Sequence, residues 1–162
     1  RLGTRLRSSL LDAEETVRLA NPYFDPDQQV IDDISRLPAR GVDTRILTRQ
    51  VEPGTDRHDV LERMLAGLTP SGRRNLQVRE LFQLDSRTGR QAYATHAKML
   101  IVDQELCYIG SANLTVTSLS TNFELGIVLD GPEVDTATDV LDAVFDASAR
   151  TTLDDGAPPG PG

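Results

Sequence analysis

The sequence predicts an α/β domain built as a three-layer sandwich, with a mixed central sheet flanked by helices. Three observations predict it. A strand, a helix and a second strand follow one another within roughly 30 residues near the N-terminus, a βαβ arrangement that requires parallel strands. Beyond residue 85 strand-like runs come in quick succession, and an amphipathic helix closes the pattern. At 162 residues the chain has the size of one domain with one core.

The elements follow in order. "TVRLANPYF" reads as a strand closed by Asn21–Pro22. Asp25 caps and Pro26 opens a helix in which Val30, Ile31, Ile34 and Leu37 keep helical spacing, and Gly41 ends it. "DTRILT" (43–48) is the next strand. A second helix, capped near Asp56, carries Val60, Leu61, Met64, Leu65 and Leu68 on one stripe, and the strand "LQVREL" (76–81) comes after it. "DSRTGRQAYA" (85–94) reads as a polar loop, and strands are expected at 97–102, 106–109 and 123–129. Pro132 opens a last helix bearing Val134, Ala137, Val140, Leu141, Val144 and Phe145. The expected domain is 1–150, and 151–162, ending in "GAPPGPG", reads as a disordered tail or linker.

No stretch reaches the roughly 18 uninterrupted apolar residues of a membrane helix, so no stable membrane insertion is expected. No secretory signal is visible, which points to the cytoplasm, and the start at Arg1 suggests that an upstream segment has been removed. A single cysteine, Cys107, rules out an internal disulfide and a cysteine-rich zinc site, and its strand position suits a small core residue. The net charge of −8 is uneven: Asp130 to Asp155 holds eight acids and one arginine. Between Ser71 and Gln91 lie Arg73, Arg74, Arg79, Arg87 and Arg90 against Glu80 and Asp85, a basic run compatible with an anionic ligand or with plain solvation.

Chemistry concentrates in "THAKMLIVDQELCYIGSAN" (95–113). Alternation along a strand points His96 and Lys98 the same way, about 6 to 7 Å apart. With Gln104 and Glu105 as a hairpin turn, Asp103 faces Leu106, Lys98 faces Ser111 and His96 faces Asn113. In "TNFELGIVLD", Phe123, Leu125, Ile127 and Leu129 form an apolar face and Asn122 and Glu124 the other, from which Glu124 reaches His96. Such a polar cluster is costly to bury unless every member is paired, which points to a function. It suits displacement at phosphorus: imidazole as nucleophile, a carboxylate behind it, and lysine and asparagine on the non-bridging oxygens. No aspartate-rich or histidine-rich constellation accompanies it, so neither metal nor cofactor is expected.

These residues resemble the signature of the phospholipase D superfamily: His96, Lys98 and Asp103, then Gly110, Ser111 and Asn113, both gaps intact, with Glu124 in the downstream "NFE". "NPYF" and "RGVDTRIL" (40–47) are similar to the family's first βαβ unit. The resemblance covers roughly residues 15–150 and implies a phospholipase D-like fold and a metal-independent reaction. It implies that His96 forms a phosphohistidine, that Lys98 and Asn113 hold the phosphate, that Ser111 supports them, and that Glu124 orients His96. Asp103, at the far end of its strand, organises the motif. Family members need two such motifs and this chain carries one. His58, in "RHDV", has no lysine two residues on and reads as an exposed helix residue.

The reading is therefore a phosphodiesterase acting as a homodimer with a shared site, a nuclease similar to the small single-motif bacterial nucleases, with DNA as its substrate. Phospholipid hydrolysis or transfer, and a nucleic-acid-binding or targeting module of a larger protein, are the alternatives. Tyr23 and Phe24 read as core and strand end, and Asn21 and Asn75 as turn residues.

Overall fold

The computed structural model describes residues 2–25, 28–115, 122–151 and 153. Its centre is a seven-stranded mixed sheet. β1 (Thr16–Ala20) lies in the middle and pairs in parallel with β3 (Asp43–Thr48), which pairs in parallel with β4 (Leu76–Glu80). On its other side β1 runs antiparallel to β7 (Met99–Val102), followed outward by β8 (Leu106–Gly110) and β10 (Gly126–Leu129), all antiparallel. The short β11 (Ala149–Arg150) closes the opposite edge against β4. Two small sheets stand apart: β2 (Phe24–Asp25) with β9 (Leu114–Thr115), and β5 (Phe82–Leu84) with β6 (Gln91–Ala94).

Alternation along the strands builds two apolar layers. Val17, Leu19, Ile46, Val78, Leu100 and Tyr108 face one way, against α1 (Leu2–Asp12), α2 (Gln28–Ala39) and α3 (Asp56–Ala66). Ala20, Leu47, Ile101 and Cys107 face the other, against α5 (Glu133–Ala147). On α2 the buried apolar residues Ile31, Ile34 and Leu37 fall at helical spacing, and Gly41, at φ +96°, supplies the left-handed turn into β3. Thr55 caps α3 by accepting the His58 N–H at 3.3 Å. Of the helix start expected at Asp25 and Pro26, Pro26 lies outside the described residues, as does most of the expected tail, while Asp25 ends β2 and α2 begins at Gln28.

Several expectations need correction. The polar loop expected at 85–94 is a hairpin: Asp85 accepts from the Arg87 and Thr88 N–H groups at 2.9 and 2.8 Å, Gly89 takes φ +66°, and β5 and β6 pair on either side. The turn between β7 and β8 centres on Asp103 and Gln104, both at positive φ (51° and 57°), closed by the Glu105 N–H on the Val102 carbonyl at 3.0 Å. Val102 therefore pairs with Leu106 and Met99 with Ile109, one residue out of the expected register. On α5 the buried stripe is Val134, Thr138, Leu141 and Phe145, whereas Val140 is exposed. Helix α1, whose Leu6 and Leu10 fall at helical spacing and pack on the core, was not expected, and the one-turn α4 (Pro70–Arg74) and β11 are too short to show a period. The basic run does not form one patch. Arg73 and Arg74 sit on α4, Arg79 lies over the Phe145 ring at 5.2 Å, and Arg87 and Arg90 are on the β5–β6 loop.

Candidate active site

The carboxyl end of β1 is where the sheet changes from parallel to antiparallel pairing, the type of strand end that leaves a crevice in α/β folds. The chain enters it from β6. The Thr95 N–H donates to the Leu81 carbonyl at 2.9 Å, and its hydroxyl accepts from the Ala97 N–H at 3.3 Å, bending 95–98 out of regular strand geometry. β7 starts only at Met99, so His96 and Lys98 precede the strand on which they were expected.

That bend brings the two together. Lys98 Nζ lies 3.0 Å from His96 Nδ1 and 2.9 Å from the His96 carbonyl oxygen. The Lys98 residue is buried while His96 is exposed. Burial holds the Lys98 ammonium below the usual lysine range, and the nearby Glu124 charge pulls it back up.

Gly110 follows on β8. It pairs with Gly126 of β10, and the Tyr108 ring lies across both: a Cβ at either position would come within 2.1 to 2.2 Å of that ring or its hydroxyl. The glycines let Tyr108 tuck over the strand end, and Gly110 N–H donates to the Lys98 carbonyl at 3.2 Å. Ser111 donates its N–H to the Leu125 carbonyl at 2.9 Å. Its hydroxyl accepts from Leu125 N–H at 3.0 Å and donates to the Glu124 carboxylate. The Glu124 carboxylate, expected behind His96, thus accepts from Ser111, while Nδ1 of His96 lies against Lys98. The reason is local. β10 begins only at Gly126, so strand alternation does not govern where Glu124 points. Asn113 carries a buried Oδ1 with no hydrogen-bond partner among the described residues, and it lines a largely apolar cavity of about 60 Å³ with Lys98 and Asn21.

Asp103 sits at the opposite end of β7. Its carboxylate accepts from the backbone N–H groups of Glu14 (2.9 Å), Glu15 and Thr16 (both 2.8 Å), tying the β7–β8 turn to the start of β1. Burial pushes its carboxyl up, but those three donors and the Arg40 charge outweigh it and hold it below the usual range.

Three residues not expected at the site border it: Asn21, Tyr23 and Arg49. Asn21 is buried, donates to the Ala112 carbonyl at 3.4 Å, and so ties the end of β1 to the Ser111–Asn113 turn. Tyr23, read as core, is exposed and edge-on to His96, with ring centroids 6.2 Å apart. The Arg49 guanidinium lies over Tyr23 at 5.4 Å and donates to its hydroxyl at 3.0 Å and to Gln91. A tyrosine just past a strand-ending Asn-Pro and an arginine just past β3 were the available signals. His58, read as exposed, is only 17% exposed and lies 3.2 Å from Asp59. With Asp59 and Glu62 it forms the one group of metal-type donors among the described residues, on α3.

A mixed sheet with a histidine and lysine at its central strand end, a glycine-serine turn beside them and a polar amide facing them defines a phospholipase D-like domain. The chain belongs to that family: residues 6–148 match the family described as cardiolipin synthase, PLD-like domain. It is 33% identical over 119 residues to cardiolipin synthase A of Pseudomonas syringae pv. syringae (strain B728a), covering 70% of this chain and 21% of the relative. It is 29% identical over 150 residues to cardiolipin synthase A of Pseudomonas entomophila (strain L48), covering 88% of this chain and 28% of the relative. The chain thus spans under a third of the length of these curated relatives. In fold it is similar to NucT from Helicobacter pylori, with a TM-score of 0.72 at 20% identity over 91% of this chain and 89% of that one. Nuc from Salmonella typhimurium, a phospholipase D family member, gives a TM-score of 0.70 at 19% identity over 91% and 88%.

Proposed function

We propose that the chain is a metal-independent phosphodiesterase, a nuclease that cleaves DNA through a phosphohistidine on His96, in a site completed by a second copy of the chain. The observation that carries this reading is the exposed His96 ring with the buried Lys98 ammonium 3.0 Å from its Nδ1. Bound there, the ammonium leaves Nε2 of a neutral ring with the proton. An arriving phosphodiester draws Lys98 onto a non-bridging oxygen. With Nδ1 released, the ring passes its Nε2 proton to solvent and takes one up at Nδ1, and the freed Nε2 lone pair attacks phosphorus as the bond to the leaving oxygen breaks. Asn113, which lines the same cavity as Lys98, would orient the substrate by donating its Nδ2–H to a phosphate oxygen. Protonating the leaving oxygen takes a second histidine, and water then releases the phosphoryl group from His96.

Support for a second copy comes from the edge strand. Phe123, Leu125 and Ile127 are 93%, 72% and 58% exposed, an apolar row on and just before β10, beside the site. The sequence pattern anticipated this row as a face; its exposure suits a partner of the same kind. Support for a nuclease comes from the fold likeness to NucT and Nuc, each nearly matched in length by this chain.

The test is to trap acid-labile, alkali-stable phosphate on His96 during turnover of single-stranded DNA in excess EDTA. Activity lost on chelation and restored by a divalent cation would overturn the metal-independent mechanism. A second reading, phospholipid transfer, is favoured by the apolar cavity beside Lys98 and Asn113 and by the cardiolipin synthase relatives. Phosphatidyl rather than nucleotidyl label on His96 would establish it instead.

A further inference from the structure

Beyond His96 a set of polar groups leads outward that the phosphoryl-transfer reading does not use. Tyr23 stands edge-on to the His96 ring, at 86°. Arg49 lies over Tyr23, and its two Nη groups donate to the Tyr23 hydroxyl and the Gln91 side-chain oxygen. Two of its five N–H donors are thereby occupied, which fixes the plane of the guanidinium and leaves three for a ligand. Next to it opens a polar cavity of about 200 Å³ lined by Arg49, Gln50, Arg57 and Gln91, with Glu52 also on its wall.

Arg57 is held by backbone carbonyls, those of Gln50 and Pro22 at 2.5 to 3.1 Å. Its guanidinium is pushed below the usual arginine range by burial first and by the Arg49 charge second, with Glu52 and Glu80 acting the other way. Among the described residues no carboxylate lies within 4.0 Å of either guanidinium. Two neighbouring cations, held by their hydrogen bonds and with no carboxylate in direct contact among the described residues, favour an anion between or beside them.

We propose that Arg49, aligned by Tyr23 and Gln91 and backed by the charge of Arg57, is a second phosphate subsite that holds a phosphate flanking the scissile one on the same nucleic-acid strand. This rests on the nuclease reading above and deepens it. The cavity's mainly polar lining, with Leu84 its one large apolar side chain, and the fork geometry of a fixed guanidinium suit a phosphate oxygen pair better than an acyl chain.

The test compares a single-stranded oligonucleotide with a diester carrying one phosphate only, using the full chain, Arg49→Gln and Arg49→Lys. Arg49→Gln should lower the ratio of kcat/KM for the oligonucleotide to that for the single-phosphate diester about tenfold, through the oligonucleotide KM. The slope of log(1/KM) against log salt for the oligonucleotide should flatten by about 0.7. Arg49→Lys should restore the slope but only part of the ratio, because it keeps the charge and loses the fork. Equal loss on both substrates, or an unchanged salt slope, would overturn the subsite. If neither substrate is turned over in a His96-dependent way, the nuclease reading fails by itself. The subsite is then judged by oligonucleotide binding, where a shallower slope for Arg49→Gln supports it and equal slopes overturn it.

Discussion

Two influences act in opposite directions on the Lys98 ammonium: burial lowers its proton affinity and the Glu124 charge raises it. The proposed chemistry needs the charged form, so activity should fall as pH rises through the folded pKa, at a lower pH than an ordinary lysine would set. Glu124→Gln removes the raising influence, so the alkaline limb of the kcat/KM profile should move to lower pH; a limb that stays in place would detach Glu124 from Lys98. The sign for stability follows from the same shift. A lysine depressed on folding binds its proton more tightly when unfolded, so stability should rise with pH between the folded and unfolded values. His96→Ala should remove the covalent step and cost several orders of magnitude in kcat, and Lys98→Ala should be comparably severe, with Glu124→Gln the mildest of the three in single-turnover assays. At this scale the sequence was informative about which residues meet and poor about how. The spacing of His96, Lys98, Gly110, Ser111 and Asn113 pointed to one strand end, and Lys98, Ser111 and Asn113 are found there. The contact between Lys98 and His96 depends on the Thr95 bend, and the Glu124 contact on a segment outside β10, neither of which a period-2 pattern encodes. Tyr23 and Arg49 were hidden for a different reason: each lies just past a strand, where alternation ends.

At the scale of elements, the pairing of β8 with β10 depends on two glycines placed opposite each other under the Tyr108 ring. Gly126→Ala puts a methyl group about where a ring atom now sits, and either the ring or the edge strand must move. A cost of about 1–3 kcal/mol is expected in urea denaturation, with Ser111 displaced because its N–H and hydroxyl both bond Leu125 next to Gly126. Wild-type stability in this variant would show that Tyr108 is free to leave its place. The helices α2 and α3 and the strands β1, β3 and β4 were legible because their apolar periods are long and uninterrupted. The β7–β8 register was not, because Asp103 and Gln104 adopt positive φ without the glycine that usually signals such a turn. The three backbone bonds to Asp103 are what hold that turn against β1, so a residue read as organising is found at a junction of elements.

At the scale of the whole molecule, ion pairs link the α5 layer to the sheet. On the acidic α5, Asp142 pairs with Arg18 at 2.7 Å and Arg45 at 3.3 Å on the sheet beneath, and Arg18 is 7% exposed. Asp142→Ala strands that buried guanidinium and should cost about 3 kcal/mol by urea denaturation, the low end for a broken buried pair because Asp142 itself keeps 25% exposure. A loss below about 1 kcal/mol would place the pair among ordinary surface bridges.

One motif in one chain leaves the proposed reaction short of a histidine, and the exposed row Phe123, Leu125 and Ile127 lies at the edge strand beside the motif. If two copies share one site, each productive site needs two intact His96 side chains. Mixing wild-type chains with His96→Ala chains, unfolded together and refolded so that partners exchange, then gives wild-type pairs as the square of the wild-type fraction. Activity should follow that square, so equal amounts should retain about a quarter of the activity rather than half. Ile127→Lys places a charge on the row without touching the motif, and it should turn a dimer into a monomer by light scattering, with activity falling in step. A linear dependence on the wild-type fraction, or a monomeric Ile127→Lys with undiminished turnover, would mean that each chain works alone. The second proton donor would then have to be sought within the chain or in an adjoining segment of a longer protein.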